Sequence, residues 1–251
     1  MLTNFLRSFM FQKWENLLLL HWRIPKNLLD STIPKELSVD LHDGDAWISV
    51  VGFRLTNLKI KPMVQIPWKD FNELNLRTYV RDQSGRKGVW FYSLDSTDLL
   101  AVLGARTLYG LNYRFASIEQ TMESERIGYK SQTKFMQEPV AGEISAKFSK
   151  MNKSLTVAEP GGLDFFLLER YRFWSDRYFK NKLSHATVRH KPYEFFSIDN
   201  ERAAYRGTLF RSHRIDEPVK KPDLVHYSQG FSVQASAPYW ALGIAGQANH
   251  M

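Results

Sequence analysis

A segment of strict two-residue alternation constrains the fold of this chain more than any other feature. Between positions 73 and 80, one set of side chains alternates with another: Leu74, Leu76, Thr78 and Val80 against Glu73, Asn75, Arg77 and Tyr79. A period of two is typical of a β-strand whose two faces meet different surroundings. The turn at Asp82–Gly85 then leads into the apolar segment Val89–Leu94. The two segments are therefore predicted to form an antiparallel hairpin.

The same kind of segment recurs along the chain. Runs rich in β-branched and aromatic residues, separated by turn residues, predict further strands at Asp45–Leu55, Tyr171–Trp174, Thr208–Ile215 and Leu224–Ala235. Helical signals are few. One helix is predicted from the caps at Ser96–Asp98 to Gly110, and a short one over Phe165–Glu169 with Asp164 as its cap.

This inventory indicates an α+β fold dominated by β-structure. Many antiparallel strands need a closed or sandwiched sheet to protect their edges. The chain has 251 residues, of which 43% are apolar, and it contains no repeat and no linker. We therefore expect a single domain over residues 1–251, with an ordered core at about 8–240 and a loose tail from about Ala241.

Composition excludes several classes of protein. Cysteine is absent, so disulfides, iron–sulfur clusters and thiol nucleophiles are excluded. The longest apolar run, Leu17–Leu20, is far shorter than the roughly 20 residues that a membrane-spanning helix needs. We expect a cytoplasmic protein without a membrane anchor.

The basic charge has two interpretations. A formal net charge of +8 is compatible with a polyanionic partner or simply with a basic surface. The cations gather loosely in two regions, Lys130–Lys153 and Arg177–Lys191, without a run of five and without a nucleic-acid-binding motif. Nucleic acid is therefore the less favoured partner.

No cofactor or metal ion is predicted. His185 and His190 lack the spacing of metal ligands, and the sequence holds no Gly-rich phosphate loop and no serine nucleophile elbow.

Several strings, taken together and in order, resemble the YqjF-like family of the acetoacetate-decarboxylase-like superfamily. They are His21–Arg23 with Pro25, Asp45–Trp47, Glu73–Val80, Gly88–Asp95, Glu169–Tyr171 and His190–Pro192. The resemblance implies a barrel-like or cone-like closed sheet around a central cavity, with a few short helices.

The resemblance also implies what the chain cannot do. In the superfamily a Gly-Arg-Glu stretch leads to a lysine that forms an imine with the substrate ketone, next to a second cation. The matching stretch here is 105–116, in which Tyr113 stands in the place of that lysine and Arg114 in the place of its neighbour. A phenol cannot form a Schiff base, and a guanidinium stays protonated. Imine-based decarboxylation of acetoacetate is therefore not expected.

Four residues are predicted to line the cavity: Glu73, Arg77, Arg106 and Tyr113. Glu73, in the place of a superfamily active-site carboxylate, and Arg77 share one strand face; the alternative is that this face is solvated. Arg106 lies on the apolar face of its predicted helix, so it is expected to meet Glu73, Asp95 or a ligand. Tyr113 is expected to act as a hydrogen-bond donor or as a wall of the cavity.

The sequence thus favours a protein that binds a small polar or anionic organic molecule in a central cavity. The first alternative is a cofactor-free acid/base enzyme of lyase or isomerase type, with Glu73 as the titrating group. The second is a nucleic-acid-binding module. Association into a homo-oligomer stays open.

Overall fold

The computed structural model describes residues 8–62, 67–148, 155–177 and 182–239, so the tail expected from about Ala241 lies outside the described residues. The strands, in chain order, are β1 (Ser8–Ile24), β2 (Leu37–Val39), β3 (Ala46–Ile60), β4 (Phe71–Asp82), β5 (Lys87–Ser96), β6 (Tyr113–Glu123), β7 (Arg126–Thr133), β8 (Ala141–Lys147), β9 (Thr156–Val157), β10 (Arg172–Arg177), β11 (Lys182–Arg189), β12 (Glu194–Ile198), β13 (Ala203–Gly207) and β14 (Leu224–Ser236). The helices are α1 (Lys26–Asp30), α2 (Leu99–Tyr109) and α3 (Leu163–Leu168), with 3₁₀ turns at Asn200–Arg202 and Arg211–His213. Within these ranges, no helix has both the length and the apolar character needed to cross a membrane.

Seven strands close into a ring. In the order β4, β5, β10, β11, β14, β1 and β3, each strand is hydrogen-bonded to the next, and β3 pairs back onto β4. The ring leaves these strands without the free edges that invite aggregation. The predicted β-dominated closed fold is confirmed.

A second layer covers one side of the ring. Strands β6, β7, β8 and β13 follow one another from the β5 edge. The side chains of Leu74 and Leu76 point to this layer and share a core with Ile127 and Ile144. The alternate residues of β4 consequently face the interior of the ring.

The interior of the ring is lined mainly by apolar side chains. Leu17 and Leu19 of β1 belong to this inner cluster, together with Val51 and Phe53, whereas Leu18 and Leu20 belong to the outer core. The run of four leucines is therefore buried on both faces of one strand.

Helix α2 connects two parallel strands. Its N-cap is Asp98, whose carboxylate accepts a hydrogen bond from the backbone N–H of Ala101 at 2.6 Å. It ends at Gly110, whose φ of 67° is the left-handed conformation that glycine adopts without strain. The predicted helix is confirmed. Because a helical crossover returns the chain in the same direction, β6 lies parallel to β5, in contrast to the antiparallel pairs expected.

The hairpin of β4 and β5 and the strand β14 also agree with the sequence predictions. The strand predicted at Thr208–Ile215 is wrong, since this segment forms turns and the 3₁₀ turn Arg211–His213. The neighbouring side chains of Leu209 and Phe210 are both buried, which a strand with unlike faces does not allow. The predicted cap of α3 is also misplaced, because Gly162 holds that position and Asp164 lies in the first turn.

Candidate functional site

A cavity of about 110 Å³ lies inside the ring, and all seven ring strands contribute to its wall. The wall is largely apolar, with Leu17, Val51 and Phe53 among its members. A water molecule takes up about 30 Å³ in the liquid, and a cavity of about 150 Å³ can hold benzene. This cavity, which we call the inner cavity, therefore suits an organic molecule of only a few heavy atoms.

The polar face of β4 forms one side of the inner cavity. Glu73, Asn75 and Arg77 all line it, and their exposed fractions are 3%, 2% and 7%. They share a face because side chains two residues apart in a strand point the same way. These residues are not on a solvated face, which was the alternative reading of the alternation.

The carboxylate of Glu73 is held by two hydrogen bonds. Its Oε2 accepts from the hydroxyl of Tyr113 at 2.7 Å, and its Oε1 accepts from the side-chain amide of Asn75 at 3.0 Å. Burial raises the pKa of Glu73 from 4.5 to about 7, although these bonds and the nearby charge of Arg77 act in the opposite direction. A carboxyl group with this pKa can both give and take a proton near neutral pH.

Tyr113 reaches Glu73 across an intervening strand. In the sheet Tyr113 lies beside Leu94 of β5, and Leu94 lies beside Asn75 of β4. Burial and the carboxylate of Glu73 raise the pKa of Tyr113 well above 10, so its phenol stays protonated and donates. The sequence led us to expect Tyr113 as a hydrogen-bond donor or as a wall of the cavity, and in the structure its hydroxyl donates to Glu73.

Arg77 is a buried cation without a matching anion. Its Nη2 donates to the carbonyl of Leu167 at 3.3 Å, whereas its Nε has no hydrogen-bond partner. Among residues in the described ranges, no carboxylate forms an ion pair with Arg77. A buried charge in this state is costly unless an anion approaches it. Asn75 also keeps an unpartnered buried atom, its Oδ1.

A hydrogen-bonded chain supports the wall behind Arg77. The carbonyl of Leu167 also accepts from the hydroxyl of Tyr79 at 3.1 Å. From Tyr79 the chain runs through Ser49 at 2.8 Å to His21 at 2.7 Å, and on through His226 to Asp164 at the surface. These hydrogen bonds account for the buried position of His21, which therefore has the structural role that is usual for a buried histidine.

Arg106 does not belong to the inner cavity. It is exposed on α2 and lines a separate groove with Trp90 and Tyr92, so the prediction that it meets Glu73 or Asp95 is wrong. On the helix it lies at the border of the buried face, from which a long side chain reaches solvent. The buried carboxylate of Asp95 pairs instead with Arg114, at 2.6 Å.

A larger groove of about 900 Å³, which we call the vestibule, lies next to the inner cavity. Four residues line both spaces, and we call the boundary that they form the mouth: Arg170, Arg172, Val188 and His190. The sequence showed Glu169–Tyr171 only as part of the family resemblance. The signal that could have identified the mouth is the pair of arginines two residues apart, which share one side of an extended chain.

The described residues of this site offer neither an amine for imine formation nor a set of side chains that could bind a metal ion. Among the described residues that line the inner cavity there is no lysine, so no primary amine is available there. Within the described part of the chain, no three His, Asp or Glu side chains come together in a way that could hold a metal ion.

A closed ring of strands around a small, partly charged cavity defines this chain as a protein of the acetoacetate-decarboxylase-like fold. A solved acetoacetate decarboxylase from Legionella pneumophila aligns with a TM-score of 0.60 at 10% identity, covering 92% of this chain and 86% of that one. An acetoacetate-decarboxylase-like enzyme from Sphingomonas wittichii aligns with a TM-score of 0.57 at 13% identity, covering 92% and 93%. The enduracididine biosynthesis enzyme MppR, in complex with pyruvate, aligns with a TM-score of 0.56 at 11% identity, covering 92% and 88%.

The chain belongs to the DUF2071 family, described as an uncharacterized conserved protein, whose model matches residues 11–232. It is 35% identical over 221 residues to the uncharacterized protein YqjF of Bacillus subtilis, covering 88% of this chain and 87% of that one. The resemblance to the YqjF-like family is confirmed.

Proposed function

We propose that this protein binds a small anionic organic molecule in the inner cavity, with Arg77 as the anion-binding group. The observation that carries the proposal is the buried guanidinium of Arg77, a residue of the cavity wall, which has an unpartnered Nε and no carboxylate ion pair in the described chain. A ligand carboxylate would supply both the missing countercharge and the missing acceptor.

The size of the cavity restricts the ligand to a short acid. A volume of about 110 Å³ leaves room for a molecule somewhat smaller than benzene. One of the solved proteins of this fold, MppR, is described in complex with pyruvate, which is a carboxylate of this size. The ligand class that we propose for this chain is the same, short carboxylic acids, and the evidence for it in this chain is Arg77.

Direct binding measurements test the proposal. Acetate, propionate and pyruvate are titrated by calorimetry, with propionamide as the neutral isostere of propionate. We expect binding of at least one acid and none of the amide. Arg77→Met should abolish the binding, whereas Arg106→Met, which removes an arginine outside the inner cavity, should leave it unchanged. Equal binding of propionate and propionamide to the natural protein would contradict the proposal.

Binding without imine chemistry is part of the same proposal. Tyr113 stands where the superfamily places its lysine, and no lysine side chain lines the inner cavity in the described chain. Incubation with acetoacetate and borohydride should therefore leave the mass of the intact protein unchanged. A lysine adduct together with release of carbon dioxide would refute this.

The second candidate is a cofactor-free acid/base enzyme that acts on the same ligand class. The observation that favours it is the pKa of Glu73, raised to about 7, in a side chain that is only 3% exposed. Such an enzyme would exchange a proton on the carbon next to a carbonyl group. Deuterium incorporation into the methyl group of pyruvate, followed by NMR in heavy water, tests this. Catalysed exchange that is lost in Glu73→Gln would favour the enzyme; binding without exchange would favour the binder.

A further inference from the structure

We infer that the natural ligand carries two anionic groups, the second of which binds at the mouth of the inner cavity to Arg170 and Arg172. The ligand class is therefore a short dicarboxylate. This inference rests on the proposed binding of the first carboxylate at Arg77.

The mouth arginines keep free donors that point to a missing acceptor. The Nη2 of Arg170 and the Nη1 of Arg172 are buried and have no hydrogen-bond partner. The other donors of Arg170 are already used, since Nε donates to the carbonyl of Phe166 and Nη1 donates to Asp40, both at 2.7 Å. Arg170 and Arg172 both line the inner cavity, so these unpartnered N–H groups lie near it, and a guanidinium N–H is a donor that a carboxylate oxygen can accept.

Arg77 and Arg170 lie close to each other in the structure. The guanidinium carbons of Arg77 and Arg170 lie against the same ring, that of Tyr79, at 5.9 and 5.3 Å from its centroid. Arg172 follows Arg170 by two residues, a separation of about 7 Å along an extended chain. The guanidinium carbons of Arg77 and Arg170 are therefore no more than about 11 Å apart, a distance that a short diacid held between them could span.

The charges of the wall complement a dianion. Asp40 neutralises Arg170, and Glu169, at the vestibule, is already engaged by the backbone N–H of Tyr193 and by the hydroxyl of Tyr171. Glu73 is the one carboxylate lining the inner cavity in the described chain, and its raised pKa keeps it largely protonated below neutral pH. Neither Arg77 nor Arg172 forms a direct ion pair with a carboxylate of the described residues, so each of the two carboxylates of one ligand could pair with one of these arginines.

Two four-carbon acids separate this inference from the proposed function. Butyrate carries one carboxylate and succinate carries two, so calorimetric titration of both compares a monoanion with a dianion of the same chain length. We expect succinate to bind the natural protein roughly 10- to 100-fold more tightly, as charge-assisted hydrogen bonds contribute. Arg172→Met should reduce the affinity for succinate to that for butyrate, and Arg172→Lys should give an intermediate value.

The control variant is Arg206→Met, which removes an exposed arginine on β13, outside the residues that line the inner cavity and vestibule. It should leave the affinity ratio of the two acids unchanged. If butyrate binds through Arg77 and succinate binds no better, the inference is wrong while the proposed function stands. If neither acid binds, the inference is wrong, and the titrations of acetate, propionate and pyruvate then decide whether the proposed function stands. The comparison of the two acids on the natural protein decides the matter even if Arg172→Met fails to fold.

Discussion

Glu73 should make the stability of this protein fall as the pH rises through the acid-to-neutral range. Burial raises the pKa of its carboxyl from 4.5 to about 7 in the folded protein. Each pKa unit corresponds to about 1.4 kcal/mol, so a difference of about 2.5 corresponds to about 3 kcal/mol. The side chain is only 3% exposed, so screening by solvent reduces this value little.

The sign follows from where the proton is held more tightly. Between pH 4.5 and about 7 the folded protein keeps Glu73 protonated, whereas the unfolded chain releases the proton. The folded state therefore binds more protons in this window, and the free energy of unfolding decreases as the pH rises. Compared with ionised Glu73, the protonated carboxyl makes its full contribution to the free energy of unfolding below pH 4.5. This contribution has disappeared once the pH has risen past about 7.

The perturbation that isolates this effect is Glu73→Gln, which keeps the shape of the protonated carboxyl and cannot ionise. Urea unfolding of both proteins at about pH 5 and about pH 8 gives the free energy of unfolding at each pH. The natural protein should lose about 2.5 kcal/mol more than the variant between the two conditions, because the full difference is reached only below pH 4.5. All other titrating groups are shared, so their contributions cancel in this comparison.

Parallel pH profiles of the natural protein and Glu73→Gln would refute the reasoning. Such a result would mean that Glu73 is solvated in the folded protein or meets a countercharge that compensates its burial. It would also remove the observation that favours the acid/base enzyme.

The other predictions concern neighbouring charges and partners. Arg114→Ala should lower the free energy of unfolding by about 3 to 5 kcal/mol, because it leaves the buried carboxylate of Asp95 without its cationic partner. Arg106→Ala should change the free energy of unfolding by less than about 0.5 kcal/mol. Urea unfolding of both variants measures the difference. Tyr113→Phe removes a hydrogen bond to the carboxylate of Glu73, so it should lower the free energy of unfolding by about 1 kcal/mol, raise the pKa of Glu73 further and alter ligand retention. The pH dependence of stability and calorimetric titration measure these effects. Binding to a random oligonucleotide should be weak and should disappear at moderate salt, as filter binding would show; tight, sequence-dependent binding would contradict it.

Strand β4 shows which structural features a local sequence pattern can predict and which it cannot. Its alternation predicted both the strand and the shared face of Glu73, Asn75 and Arg77, because the side-chain period of a strand is a local property of the backbone. Whether that face meets water or a cavity is not local. It depends on strands β10, β11 and β14, which come from distant parts of the chain and complete the ring over it.

The sequence by itself determined the β-dominated class and helix α2 with its caps at Asp98 and Gly110. Each of these depends on residue type or on neighbours within one element. Only the tertiary structure decided which charges share a space. It separated Arg106 from Glu73 and gave Asp95 to Arg114 instead. It also brought Arg170 and Arg172 to the mouth of the same cavity as Arg77, almost a hundred residues away, because strand pairing and ring closure, and not sequence spacing, set the distances between side chains on different strands.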